Sequence, residues 1–152
     1  MSIDEAVRFR YLFKSVENIV NKELINLLSP LHITPNQSEV LLVLQEFGSL
    51  SLKDLGNLLI CEKKSPSRLV SSLIKKGLVI KEISAEDRRF SLLSLTPKGQ
   101  DLVPKVIAIK NQYDQQLLEQ GIDFKALSKP FKVFISETPY EEKLKSRSMW
   151  DD

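Results

Sequence analysis

This chain of 152 residues has a single cysteine, Cys61, and a single histidine, His32. One cysteine excludes an internal disulfide and fits a reducing compartment. One histidine and one cysteine, far apart in the sequence, supply neither a nucleophile with its base nor a ligand set for zinc. The five glycines (Gly48, Gly56, Gly77, Gly99 and Gly121) are scattered, so there is no glycine-rich loop to cradle a phosphate. Long apolar runs are missing as well. The longest, Val40-Leu41-Leu42-Val43-Leu44, is far too short to cross a bilayer. Asp4 and Glu5 near the start are unlike a signal peptide. Repeats and low-complexity stretches are also lacking. The expectation is a cytoplasmic protein without metal, cofactor or catalytic machinery.

The hydrophobic fraction is 42%, enough for a packed core and too much for a disordered chain. The length suits one domain, or two halves sharing one core. Lysine and arginine number 22 against 20 acids, a net charge of only +2. Any nucleic-acid footprint must therefore be local.

Apolar spacing of three and four predicts a long first helix over 4–28, through Phe9, Phe13, Val16, Val20, Leu24 and Leu27. Val7, Tyr11, Leu12, Ile19 and Ile25 widen its stripe, so it needs more than one neighbour. Ser29-Pro30 ends it. Thr34-Pro35 opens a second helix with Val40, Leu41, Val43, Leu44 and Phe47 on its core side, stopped at Gly48. Ser51 caps a short third helix with Leu52, Leu55, Leu58 and Leu59 inward. A fourth begins between Lys63 and Ser65, since Pro66 is tolerated only in a first turn. Its Leu69, Val70, Leu73 and Ile74 share one face; Ser67, Arg68, Ser71, Ser72 and Lys75 face the other way. Gly77 ends it. Two strands follow, 78–83 and 90–95, joined by Glu86-Asp87-Arg88-Arg89. Thr96-Pro97 starts another helix, bent at Pro104, and Asp123 caps a last one that Pro130 interrupts. Residues 138–152 read as a polar extended tail in which Trp150 docks on a partner or is disordered.

Three helices followed by a hairpin make a winged helix-turn-helix. The exposed face after Cys61 is the candidate recognition helix. Its serines are small enough for a major groove, and Arg68 has the fork that guanine accepts. Lys63 and Lys64 stand where phosphates would meet free backbone N–H groups. From Glu62 to Arg89 the cations Lys63, Lys64, Arg68, Lys75, Lys76, Lys81, Arg88 and Arg89 outnumber the acids Glu62, Glu82, Glu86 and Asp87. Paired arginines on a thin ribbon suit a narrow, negative minor groove.

From about Thr34 to Val103 the chain resembles the MarR family of bacterial transcriptional regulators. The carrying residues are Leu31-His32-Ile33-Thr34-Pro35-Asn36-Gln37, Leu50-Ser51-Leu52-Lys53-Asp54-Leu55 and Leu69-Val70 with Leu73-Ile74-Lys75-Lys76-Gly77-Leu78-Val79. Asp87-Arg88-Arg89 and Leu93-Ser94-Leu95-Thr96-Pro97-Lys98-Gly99 complete the ordered set. The resemblance implies a mainly α fold with a small β-hairpin wing (α+β). Residues 30–100 would form the DNA-binding lobe, and 1–29 with 101–152 a helical dimerisation region. It implies a homodimer on a pseudo-palindromic operator of double-stranded DNA, more often a repressor, relieved by a small phenolic or other anionic effector. The expected DNA contacts are Ser51, Lys63, Lys64, Ser65, Ser67, Arg68, Ser71, Arg88 and Arg89, with Asp87 orienting an arginine. Lys63, Lys64 and Pro66 depart from the family pattern in the recognition helix. The rival reading is a winged-helix protein-interaction module without DNA binding. Cys61 reads as a small buried hydrophobe at a helix turn rather than a redox thiol.

Overall fold

The structure, a computed structural model, describes residues 2–61, 66–87 and 89–151. Helix α1 spans Ile3–Leu28. Ser2 and Glu5 cap it reciprocally: the Ser2 hydroxyl accepts from the Glu5 N–H at 3.3 Å, and the Glu5 carboxylate accepts from the Ser2 N–H at 2.8 Å. A 3₁₀ turn at Ser29–Leu31 follows, and His32 leaves it in the left-handed region with φ 58°. Only Leu28 of α1 is buried among the described residues. Met1–Pro35 forms one compact unit and Asn36–Asp152 a second.

The second unit carries the expected order of elements. Helix α2 (Pro35–Phe47) is followed by α3 (Leu52–Leu58) and α4 (Pro66–Lys75), then strands β1 (Val79–Ile83) and β2 (Ser91–Leu95). After the strands come α5 (Pro97–Leu118), α6 (Phe124–Ile135) and α7 (Pro139–Ser146). The lobe core is Val40, Leu41, Val43 and Leu44 of α2 with Leu55, Leu59, Val70, Leu73, Leu78, Val79 and Leu93. Ser51 caps α3 and Thr96 caps α5, each hydroxyl accepting the N–H three residues on. The strands pair antiparallel, with Val79 opposite Leu95 and Ile83 opposite Ser91. Leu50 adds a bridge to Leu93, a third ribbon of chain that the alternation of a two-residue segment could not reveal.

Close approach explains one glycine. A Cβ on Gly99 would stand 2.2 Å from the Leu78 carbonyl oxygen, so α5 starts where it does only because residue 99 has no side chain. Gly77, at φ 74°, makes the turn from α4 into β1 in a region that other residues avoid.

Two expectations are corrected. Pro130 does not interrupt α6, which runs through it; the ring forfeits one backbone bond without ending the helix. Residues 138–152 are not an extended tail: Pro139–Ser146 is helix α7. Pro139 occupies its first position, Glu141 and Glu142 its first turn, and Lys143 and Lys145 its last, a charge order that suits the helix dipole.

Candidate nucleic-acid interface

Helix α4 separates its two faces cleanly at the centre. Val70 and Leu73 are buried, while Ser67, Arg68, Ser71 and Lys75 are exposed. Ser67, Arg68, Ser71, Ser72 and Lys75 line one shallow depression of about 320 Å³. Leu69 is half-buried and Ile74 is exposed, so the apolar stripe is narrower than the spacing alone predicts. Ser72 is also less free than its neighbours. Its hydroxyl accepts from the Gln37 side-chain amide at 2.7 Å, and the Gln37 carbonyl oxygen accepts from Lys76 Nζ at 2.9 Å. Gln37, buried in α2, thus fixes the C-terminal half of α4. Its polar side chain gave no hint of this in the sequence.

A larger groove of about 480 Å³ runs beside α4. Ser51, Lys53 and Asp54 of the α3 start, Ser67 and Ser71 of α4, and Lys81 and Arg89 of the wing share it with Leu52, Ile74 and Phe90. Ser51 is therefore brought to the recognition helix and the wing, although its hydroxyl is occupied by the Asp54 N–H at 3.1 Å. Leu52, expected inward, is exposed at this rim.

At the wing tip the Asp87 carboxylate accepts three bonds from one residue. The Arg89 backbone N–H lies at 3.0 Å, and its Nε and Nη2 each at 3.2 Å. The fork is thereby turned back along the ribbon, and the Arg89 guanidinium holds the Asp87 carboxyl below its ordinary range. Ser84 closes the turn, donating its N–H to the Phe90 carbonyl at 2.8 Å. Lys63, Lys64, Ser65 and Arg88 lie outside the described residues.

Just ahead of α4, Glu39 of α2 reaches the end of α3. Its carboxylate accepts from the Ile60 and Cys61 N–H groups, the latter at 2.8 Å. Burial opposes its charge, yet the bonds from Cys61, Arg147 and Ile60 outweigh burial and hold its carboxyl below the usual value. Cys61 is half-buried rather than fully buried, with its thiol 3.9 Å from the Asn36 carbonyl. Among the described residues no His, Cys, Asp and Glu cluster could hold a metal, and no helix is long and apolar enough to cross a membrane.

Residues 33–99 match a winged helix DNA-binding domain family. The organic hydroperoxide resistance transcriptional regulator of Bacillus subtilis is 29% identical over 117 residues, which is 77% of this chain and 80% of that protein. A mutant of MarR from E. coli, solved with operator DNA, superposes with a TM-score of 0.73 at 21% identity, covering 88% of this chain and 96% of that one. An organohalide-sensing transcriptional regulator bound to 2,4-dichlorophenol reaches 0.80 at 19% identity, covering 91% and 83%. With three helices, a hairpin and a braced arginine at its tip, the chain carries a winged helix DNA-binding domain over residues 33–99 and shares its fold with these solved regulators.

Proposed function

We propose that the chain is a cytoplasmic homodimeric repressor on a pseudo-palindromic operator. Helix α4 of each subunit enters a major groove, the two sites about 34 Å apart on the duplex. Arg68 reads a base edge. Ser51, Ser65, Ser67 and Ser71, with Lys63 and Lys64, make the surrounding base and phosphate contacts. Arg88 and Arg89 enter the neighbouring minor groove, and Asp87 sets the direction of Arg89. The observation that carries this reading is one continuous exposed surface holding the cationic face of α4 and the braced wing arginine.

Dimerisation rests on exposed apolar surface. Helix α1 leaves Leu12, Phe13, Val16 and Ile19 exposed, and α6 leaves Val133 and Phe134 exposed by 76% and 68%. Faces of this kind mark association surfaces. Relief by a small phenolic or other anionic effector is supported by the relative solved with 2,4-dichlorophenol.

The test is binding to duplex DNA as salt is varied. Several phosphate contacts predict a steep linear fall of log affinity with log salt. A flat response, or none at all, would favour a protein-interaction module instead. Release of bound duplex on titration with 2,4-dichlorophenol checks the effector.

A further inference from the structure

Helix α3 ends with its last carbonyls pointing away from its own backbone bonds, as every helix does. Here those carbonyls are met by cations from α7 and its C-cap, some ninety residues later. Lys143 Nζ donates to the Gly56 carbonyl at 3.0 Å and to the Leu59 carbonyl. Arg147 Nη1 donates to the Leu58 carbonyl at 3.2 Å and to the Glu39 carboxylate at 2.9 Å. Glu39 in turn takes the N–H groups of Ile60 and Cys61, which follow directly. Both members of the ion pair are withdrawn from solvent, with side-chain exposures of 8% for Arg147 and 13% for Glu39. Arg147 Nε is buried without a hydrogen-bond partner in the structure, a desolvation cost that the bonds through Nη1 offset.

The opposite side of α7 is tied to α6. Trp150 lies beneath two ammonium groups, 5.6 Å from Lys132 Nζ of α6 and 5.8 Å from Lys145 Nζ of α7. Helix α7 therefore stands between α6 and the end of α3.

We propose that Glu39, Lys143 and Arg147 form a clamp through which the C-terminal helix positions the recognition helix. The C-terminal half of α4 is already fixed by Leu73 in the core and by Gln37 on Ser72. Its N-terminal end, which carries Ser67 and Arg68, packs on the end of α3 that the clamp holds, with Pro66 Cγ 3.4 Å from where a Cβ on Gly56 would stand. Loss of the clamp tilts that end. Phosphate contacts, which tolerate small displacements, survive; base-edge contacts, which need a bidentate fit, do not. Operator selectivity thus depends on residues that never touch DNA. The inference rests on the reading that α4 carries the base contacts.

The experiment begins with the parent protein selecting duplexes from a random-sequence pool. Failure at that stage overturns the DNA reading itself. Affinities for a selected duplex and for a random duplex are then measured well below each variant's melting temperature. Arg147→Ala is expected to lower the ratio of the two at least tenfold while random-duplex affinity changes less than twofold. Arg147→Lys, which keeps the charge but loses the fork, is expected to recover part of that ratio. Lys143→Met leaves the Glu39–Arg147 pair intact and is expected to lower the ratio by a smaller factor; it carries the test if Arg147→Ala does not fold. A folded Arg147→Ala or Lys143→Met that keeps the parent's ratio overturns the proposal, even if its melting temperature falls.

Discussion

Helices α4 and α6 are of similar length, 10 and 12 residues, and both are strongly two-faced. Their fates differ. Helix α4 puts Val70 and Leu73 into the lobe core and leaves serines and Arg68 outside. No residue of α6 is buried among the described residues, and Phe131, Val133 and Phe134 are left outside. The same sequence signal has opposite meanings in the two. An apolar stripe whose partner lies in the same lobe makes a core, and the opposite face is freed for recognition. An apolar stripe left exposed at the surface has the character of an association surface.

The sharpest way to break the closed side is Gly99→Ala. The added methyl group would meet the Leu78 carbonyl oxygen at 2.2 Å, backbone against backbone-borne atom, so α5 and the hairpin must part. A loss of about 3 kcal/mol in urea unfolding is expected, at the upper end for overpacking. An unchanged midpoint would mean that the hairpin and α5 slide freely.

The open side is tested by Val133→Glu or Val16→Glu, both at exposed apolar positions. Each is expected to weaken self-association by about 2 kcal/mol, seen as dissociation in sedimentation equilibrium, with the helical circular dichroism of the lobe retained. If both variants sediment like the parent, these faces do not associate.

On the recognition face, Arg68→Ala is expected to cost about 1–3 kcal/mol in operator affinity and to relax base preference at one position per half-site. Arg89→Ala should cost less, about 1 kcal/mol, and lower the salt dependence by roughly one phosphate contact on each wing without changing which bases are preferred. A variant pair with these effects exchanged would reverse the assignment of major-groove reader and minor-groove grip.

Much of this division was legible in the sequence. The helix starts at Pro35 and at Thr96-Pro97, the stop at Gly77 and the strand pair around Asp87 all fall where the structure has them. Helix α7 was not seen, although Thr138-Pro139 repeats the same start and Glu141, Glu142, Lys143 and Lys145 follow in dipole order. Its composition is polar, and hydrophobic periodicity is the strongest local signal. What holds α7 is charge, and the partner of Arg147 is Glu39, 108 residues away. Glu39 looked like any acid on a helix, because sequence spacing carries no information on a bond closed across the fold. The buried Gln37 was missed for the same reason.

Glu39 also supplies an effect that is complete near neutrality and fades with acid. Its folded carboxyl titrates below the ordinary value of 4.5, because hydrogen bonds from Cys61, Arg147 and Ile60 outweigh a burial that acts the other way. A carboxylate favoured in the folded state contributes stability that is complete above about pH 5 and lost as pH falls through the folded value. The parent should therefore lose stability on acidification below pH 4.5 more steeply than Glu39→Gln, which cannot titrate there. The two curves, measured by urea unfolding from pH 7 to pH 3, should converge toward the acid end. Parallel curves would mean that the Glu39–Arg147 pair does not persist in solution. The closed lobe would then lack the ionic tie between Glu39 and Arg147 that joins its recognition end to the end of the C-terminal helix.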